Sequence, residues 1–445
     1  MTLNTTVASI VENNLCNSCG ACFAACPAGA IGYRETIGGH LFPKIDETKC
    51  ISCGRCLSVC SGNGFHKTTM EKLPQDPFTG EITSAFVGRA EDDLIYKNSQ
   101  SGGIVTALLA HLFDSGEITG AVVAVMKRGN PPSGEPLIIR SPQELPETQK
   151  SKYIPIPLLK VVPGILQEED RFALVGLPCH IHGLHNLYSL YPALEQKIAV
   201  TIGLVCDRVL SLAVLDYFAR RVSCSSLASL VFRDKQRPCY PGNVVVESQD
   251  GPVSVLDSSE RISAKDFFTP ARCRLCFDKL NVLTDIVVGD PHGISGINRT
   301  EGESLVLLRT PKGKEILSQA QRKRVVSVRE IRSEDAIAGQ GIEKKRQEWN
   351  AYTALWKKKG LPLPNYTVLV MPDSHTAPQQ TERQSKGNLQ LAFALDSYSS
   401  RAEVVDAALS WLRKKKLKGY IALPYRLFRR AAGGFARKIK NTFRG

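Results

Sequence analysis

Eight cysteines between Cys16 and Cys60 constrain this chain more than any other feature. They form two copies of one pattern, Cys16, Cys19, Cys22 and Cys26, then Cys50, Cys53, Cys56 and Cys60, each spaced C-x-x-C-x-x-C-x-x-x-C. Three close cysteines on a tight loop supply three corners of a cubane, and this is the spacing of runs that hold 4Fe-4S clusters. In paired runs the fourth thiolate crosses to the other cluster. That rule assigns Cys16, Cys19, Cys22 and Cys60 to one cluster, and Cys50, Cys53, Cys56 and Cys26 to the other. The second run has Ser61 where proline usually follows, which removes no ligand. Zinc knuckles and a disulfide framework are the competing readings, but zinc sites use two close ligand pairs, not three cysteines at i, i+3 and i+6.

The chain of 445 residues has room for about two or three domains. A hydrophobic content of 43% allows packed cores and excludes wholesale disorder. No stretch approaches the roughly 18 apolar residues of a spanning helix. The opening MTLNTTVASIVENN lacks the basic and apolar regions of a signal peptide. Fourteen cysteines without such a signal point to a reducing compartment where thiols serve metals, so the expected location is the cytoplasm. The net charge of +14 is uneven. Residues 401–445 hold 13 Lys and Arg against Glu403 and Asp406, which leaves 44 basic and 41 acidic residues elsewhere. The basic character belongs to a tail, which argues against the body as a nucleic-acid binder.

Residues 1–70 read as a two-cluster, ferredoxin-type domain. Gly20, Ala21 and Gly54 lie among the ligands, where backbone N–H groups must approach cluster sulfur. Residues 71–82 read as a linker, and TSAFVGRA (83–90) as a strand. In Ser101-Gly102-Gly103-IVTALLAHLF, the apolar positions Ile104, Val105, Leu108, Leu109, Leu112 and Phe113 predict a helix with one buried face. Ser101 is the expected N-cap. A helix start reached through Ser-Gly-Gly suits an anion such as a dinucleotide phosphate. An ordinary capped helix is the alternative.

From 118 to 220, short apolar strands (118–126, 136–140, 172–177, 198–205) alternate with helices (158–166, 180–191, 211–222). This predicts an α/β sheet buried on both faces, with ligands at loops that follow strands. Two such loops carry Cys179 and Cys206. Later come a hairpin around Gln249-Asp250-Gly251, Cys273-x-x-Cys276, a strand ending in DPHG (290–293), and a charged helix over 334–359. The polar stretch 371–390 reads as a linker.

Cys179, Cys206, Cys273 and Cys276 could supply four thiolates to a third cluster. A four-thiolate zinc site would have the same spacing, and unconnected thiols are the remaining alternative. Cys224 and Cys239 have no partner pattern and read as structural thiols. His180, His182 and His185 share one predicted helix, but His180 and His182 cannot share a face. His292 could contact a cofactor or bond to backbone.

The stretches SGGIVTALL, KSKYIPIP, VGLPCHIHGL, IGLVCD, CRLCFDKLNVLTDIVVGD and SLVLLRT occur in one characteristic order. Over residues 1–335 the chain resembles the family of coenzyme F420 hydrogenase/dehydrogenase beta subunits, including the fused two-cluster domain. The resemblance implies FAD as the converter between a two-electron hydride carrier, often the deazaflavin coenzyme F420, and one-electron clusters. It implies flavin contacts from Ser101, Gly102 and Gly103 and from Ser151, Lys152 and Tyr153. It implies Cys179, Cys206, Cys273 and Cys276 as ligands of a flavin-proximal 4Fe-4S cluster. One departure is His180, where the family often has Gln. Lys150 and Lys152 could stabilise a reduced, anionic flavin or be solvated surface lysines.

The expected fold is a mixture of α+β and α/β. A ferredoxin-like two-cluster domain (1–70) precedes an α/β flavin-binding domain (83–335), a helical extension (336–370), the linker (371–390) and a basic tail (391–445). In the tail, Phe428, Ala432, Phe435 and Ile439 face away from Arg426, Arg430, Arg437, Lys440 and Arg444 on a helical projection. Such a helix can lie on an anionic membrane at its inner face or dock an acidic redox partner; a solvated tail and a nucleic-acid contact are the alternatives. The expected function is a flavin and iron–sulfur oxidoreductase. Its competitors are a polyferredoxin-like carrier without flavin catalysis and a ferredoxin-dependent reductase of another substrate.

Overall fold

The structure, a computed structural model, describes residues 6–236, 240–249, 251–370 and 377–416. Strands Ile31–Glu35 (β1) and Leu41–Ile45 (β2) form an antiparallel hairpin between the two cysteine runs. The large sheet contains Ser84–Ala90 (β3), Gly120–Lys127 (β4), Ser133–Ile139 (β5), Phe172–Gly176 (β6) and Ile198–Leu204 (β7). A separate three-stranded sheet follows: Leu227–Asp234 (β8), Asn243–Ser248 (β9) and Val253–Leu256 (β10). Ile286–Gly289 (β11), Ser304–Leu308 (β12) and Val326–Ile331 (β13) return to the large sheet, whose order is β13-β3-β12-β11-β7-β6-β4-β5.

The sheet is mixed. β4, β6, β7 and β11 run parallel in its centre, while β5, β12, β3 and β13 pair antiparallel at its two sides. Apolar, β-branched runs such as AVV in β4 and the almost wholly buried β7 need cover on both faces. On one face lies Ile104–Asp114, which buries Ile104, Leu108 and Leu112 against Val123, Ile202 and Val306. On the other lies Pro178–Leu190, which buries Ile181, Leu184 and Leu187 against Val122 and Leu174.

The cysteine-rich domain is not a tethered bead. Cys19, Ala21, Ala24 and Ala25 share a core with that second helix. Gly20 (φ +95°) shows why the seam is close: a Cβ there would stand 2.8 Å from both Lys160 N and Pro157 O. Glycine at position 20 therefore answers to the neighbouring domain as well as to its own loop. The segment expected as a linker over 71–82 is also pinned, with Phe78 fully buried between Phe277 and Trp349.

The C-terminal boundaries differ from expectation. Within the expected linker 371–390 and just beyond it, Gln379–Ala394 is a helix, packed on Ile342–Lys358 through Ser385, Leu389 and Ala392. Phe393 packs on Trp356 and Leu391 is partly buried as well, but the first half of the helix is almost wholly polar, so the sequence pattern looked solvated. Residues 401–416, expected to belong to a basic tail, are helical, and Val404, Ala408 and Leu412 are buried in the core around Phe267 and Phe268. Burying a side chain such as leucine or valine contributes about 1.5–3 kcal/mol, which offsets the exposed basic face. The amphipathic stripe from Arg426 to Arg444 lies outside the described residues. No helix among them is long and apolar enough to cross a membrane.

Candidate functional site

The first cysteine loop gathers as the crossover rule expects. The Cys16, Cys19, Cys22 and Cys60 thiols all lie within electrostatic reach of one another. Burial pushes each thiol up, Cys60 to about 12, and neighbouring cysteines add to the effect at Cys16, Cys22 and Cys60. Cys26, by contrast, rings a small cavity of about 20 Å³ together with Cys50, Cys53 and Cys56. Backbone N–H groups already point at sulfur in both sets, Ser18 N to Cys16 Sγ at 3.3 Å and Ala30 N to Cys26 Sγ at 3.2 Å. Buried thiols ringed by backbone donors are a donor set that fits an iron–sulfur cluster. Cys22 and Cys56 connect the two sets. Cys53 is exposed, so the second set is the one nearer solvent.

The four scattered cysteines converge because β6 and β7 are parallel neighbours. Their C-terminal ends deliver Cys179, in the first turn of Pro178–Leu190, and Cys206 to one place. Cys206 N donates to Lys279 O at 3.0 Å, which ties the Cys273–Cys276 loop to the end of β7. Cys179 is influenced by Cys206, Cys273 and Cys276, and also by Cys19 of the N-terminal domain. The helix explains that last contact. Gly183 lies one turn beyond Cys179 on the same face. A Cβ at Gly183 would stand 3.4 Å from Cys19 Sγ. No group of three or more His, Cys, Asp or Glu among the described residues is gathered to hold a single metal ion. Cys224 donates to Ser226 O at 3.4 Å, and Cys239 lies outside the described residues.

A cavity of about 540 Å³ opens beyond the C-terminal ends of the parallel strands. Ser101, Gly103, Ser151, Lys152, Tyr153 and Cys206 all line it. Gly102 does not. Its N–H donates to Ser304 Oγ at 3.0 Å, and a Cβ there would stand 2.4 Å from Gly88 O. Gly102 is thus a packing requirement against β3 and β12. Nor is Ser101 the N-cap of the helix. Gly103 holds that position at φ +76°, while Ser101 Oγ pairs with Ser304 Oγ at 3.1 Å. Ser304 lies far along the chain and offers a closer partner than the helix start.

Lys152 is largely buried in the cavity wall, with Nζ donating to the carbonyls of Gln149 (2.9 Å) and Thr148. Burial lowers its pKa to about 7. Lys150 pairs with Asp234 at 3.7 Å. Tyr153 packs on Phe232 and Arg261, and its hydroxyl accepts from Arg233 at 3.4 Å. Arg233 is buried and bridges to Asp290 of the DPHG turn at 2.6 Å. That pair escaped sequence reasoning because its members are 57 residues apart. His292 lines the cavity.

His180 forms part of the same wall. Leu177 N–H donates to Nδ1, and Nε2 donates to Ile156 O at 3.0 Å. Burial holds the imidazole at about 4, hence neutral, although the Ile156 contact opposes the shift. His182 bonds Asp278 at 2.9 Å and His185 bonds Leu283 O at 2.9 Å, so both have structural partners. Lys265, Lys279, Lys344, Lys345 and Arg208 make the rim basic. Lys344 and Lys345 come from Ile342–Lys358, a helix whose charge pattern resembles a solvated face.

Comparison with known proteins follows the same division of the chain. Residues 15–63 match the profile described as 4Fe-4S dicluster domain. Residues 85–163 and 169–334 match the N-terminal and C-terminal profiles of the coenzyme F420 hydrogenase/dehydrogenase beta subunit. A coenzyme F420-dependent sulfite reductase of Methanocaldococcus jannaschii is 26% identical over 78% of this chain and 53% of its own length. The chain therefore spans about half of that relative. The coenzyme F420 hydrogenase subunit beta of Methanothermobacter thermautotrophicus is 28% identical over 64% of this chain and 97% of its own. An F(420)H(2) dehydrogenase subunit of Methanosarcina mazei is 25% identical over 69% and 82%. A chain of the F420-reducing [NiFe] hydrogenase complex from Methanosarcina barkeri matches in fold, with TM-score 0.50 and 21% identity over 64% of this chain and 94% of that one.

Proposed function

Because this chain belongs to the family of coenzyme F420 hydrogenase/dehydrogenase beta subunits and carries a 4Fe-4S dicluster domain, we propose that it is a flavin and iron–sulfur oxidoreductase. It passes electrons between a hydride carrier, coenzyme F420 or a similar anionic coenzyme, and a one-electron redox partner. The observation that carries the reading is Cys206, which lines the same cavity as Ser101, Ser151, Lys152 and Tyr153. A flavin seated there would adjoin the thiols of Cys179, Cys273 and Cys276 that hold a proximal 4Fe-4S cluster.

Bound FAD supplies the conversion between a hydride and single electrons. The protein's own part is binding and orientation. The first turn of Ile104–Asp114 presents its free N–H groups to a flavin phosphate beside Gly103. Lys152 offers a cation to the anionic ring or phosphate. Tyr153, braced by Arg233 and Phe232, fixes one wall. Lys265, Lys279 and Lys345 draw an anionic carrier to the rim. Cys179 and Cys19 carry the route across the domain seam, Cys22 and Cys56 carry it to the second set, and exposed Cys53 marks the exit toward the partner. The basic end of the chain docks an acidic partner or an anionic membrane surface.

The test is anaerobic reconstitution followed by metal and flavin analysis. About twelve irons and one FAD per chain, with flavin bleaching by reduced coenzyme F420, are expected. A preparation that holds iron but no flavin after reconstitution overturns the catalytic reading and leaves an electron carrier.

A further inference from the structure

Among the described residues, Arg272 is a buried charge with no charged hydrogen-bond partner. It is 2% exposed. It directly precedes Cys273, and its Nη2 donates across the domain seam to the carbonyl of Ser61, the residue after Cys60, at 3.1 Å. Its other hydrogen-bond partner is the Tyr366 hydroxyl at 2.6 Å. Both partners are neutral. Nε and Nη1 are buried and have no partner among the described residues.

A buried guanidinium in such surroundings is costly unless negative charge compensates it. Among the other buried arginines, Arg233 has Asp290 beside it. Arg309 bonds the carbonyls of Thr79, Glu81 and Leu280, and Arg274 bonds Asp266 O and the Tyr352 hydroxyl, each with only its Nε unpartnered. Arg272 differs in leaving two of its three nitrogens unpartnered. Around Arg272 the negative charge comes from cysteines. Burial works against its charge, and Tyr366, Cys276 and Cys273 work for it. On the far side, Arg272 acts on Cys19 and Cys60. It therefore lies within electrostatic reach of one thiolate set through its own loop and of the other through the seam, with two nitrogens, Nε and Nη1, left without an acceptor among the described residues.

We infer that Arg272 is a positioning residue for electron transfer, a fixed positive charge shared by the Cys179–Cys206–Cys273–Cys276 set and the Cys16–Cys19–Cys22–Cys60 set that raises the reduction potential of both clusters. This rests on the three-cluster reading above. When one electron is lost on one side of Arg272 and gained on the other, negative charge moves while staying within reach of the same guanidinium. No proton need accompany it, because arginine keeps its charge throughout the working pH range. The cations that directly precede ligands of the second ferredoxin-type set (Cys26, Cys50, Cys53, Cys56), Lys49 and Arg55, are exposed, and that set should be insensitive to Arg272.

The experiment uses the full chain, reconstituted anaerobically, with iron counted and each cluster titrated by mediated potentiometry under EPR detection. In Arg272→Gln, the reduced-to-oxidised ratio of both flanking clusters at fixed potential should fall at least tenfold, which is ~59 mV for a one-electron couple. The cluster of Cys26, Cys50, Cys53 and Cys56 should move less than a third as far. Arg272→Lys, which keeps the charge, should stay within about threefold of the parent chain. R272Q with full iron and unmoved potentials overturns the inference. If R272Q does not retain iron, R272K decides: a tenfold fall in R272K at full iron shows that charge is not the agent and also overturns it. A parent chain holding only about eight irons instead removes the three-cluster reading itself, independently of either variant.

Discussion

His40 Nδ1 and Asp396 Oδ2 stand 2.8 Å apart, and the other oxygen of the same carboxylate accepts from Gly38 N–H at 2.7 Å. These contacts join the β1–β2 hairpin tip to a segment more than 350 residues away. Arg401 reinforces them, pairing with Glu35 and, at 3.7 Å, with Asp216. The C-terminal segment is thus a strap that fastens the cysteine-rich domain to the body, beyond the reach of the family match that ends at residue 334.

Asp396→Ala should destabilise the folded chain by about 2 kcal/mol, since it leaves buried His40 and the Gly38 N–H without their acceptor. Burial opposes ionisation of Asp396, but bonds and charge from His40, with bonds from Thr36 and Gly38, hold it at about 2. A carboxylate lowered in the folded state contributes stability above its unfolded pKa and loses it as pH falls through the folded one. The pair's contribution should therefore be full above about pH 4 and vanish toward about pH 2. Denaturant melts of both chains at several pH values check this, the gap between them closing on acidification.

Cys60→Ala and Cys26→Ala should each remove about four irons, but from different clusters. Cys60→Ala should abolish the EPR signal of the buried cluster next to Cys179. Cys26→Ala should abolish that of the solvent-near cluster beside Cys53, which in the parent chain should also be the first lost to oxygen. An uncrossed pairing would exchange the two signatures.

Gly102→Ala and Gly103→Ala should both destabilise, for different reasons. At Gly102 a Cβ would press on Gly88 O at 2.4 Å, an overpacking that costs about 1–3 kcal/mol. At Gly103 a Cβ would sit tightly but without overlap, 3.2 Å from Ile95 Cγ2, and the main cost of about 1–2 kcal/mol comes from the left-handed backbone. Gly103→Asn, which tolerates that backbone, should recover part of the loss, whereas Gly102→Asn should not. Urea midpoints of the four variants separate the two causes.

FAD affinity should fall as pH rises through about 7, because Lys152 is cationic below its lowered pKa and neutral above it. Lys152→Met should weaken FAD on the order of tenfold at low pH and flatten the dependence. Flavin fluorescence titrations between about pH 6 and 8.5 measure both, and iron content should not change.

A chain ending at Lys416 should keep its iron, its flavin and its melting temperature, and lose binding to anionic liposomes or to an acidic partner. The cut belongs there and not near residue 370, since residues 377–416 are part of the packed body. Liposome co-sedimentation equal to that of the full chain would refute a docking role for the basic end.

Much of the site was legible because its chemistry is written in short spacings. The two cysteine runs, the Cys273–Cys276 pair and the strand-end positions of Cys179 and Cys206 follow from local pattern. The parallel centre of the sheet follows from apolar runs between helices. What stayed hidden was long in sequence separation or sparse in pattern. Ser304 beside Ser101 and Asp290 beside Arg233 gave no local signal, and the helix Gln379–Ala394 buries Ser385, Leu389 and Ala392 at helical spacing behind a mostly polar first half.

The sequence by itself determined that residues 15–63 form a 4Fe-4S dicluster domain, because a cubane accepts only a narrow range of ligand spacing. Only the tertiary structure decided that Cys19 faces Cys179, that Gly183 and Gly20 are glycines for the sake of that seam, and that Arg272 lies between two thiolate sets. Those relations are made by close packing between segments more than 100 residues apart. No local propensity encodes them, because each is settled by the shape and charge of a surface that exists only once both segments have folded.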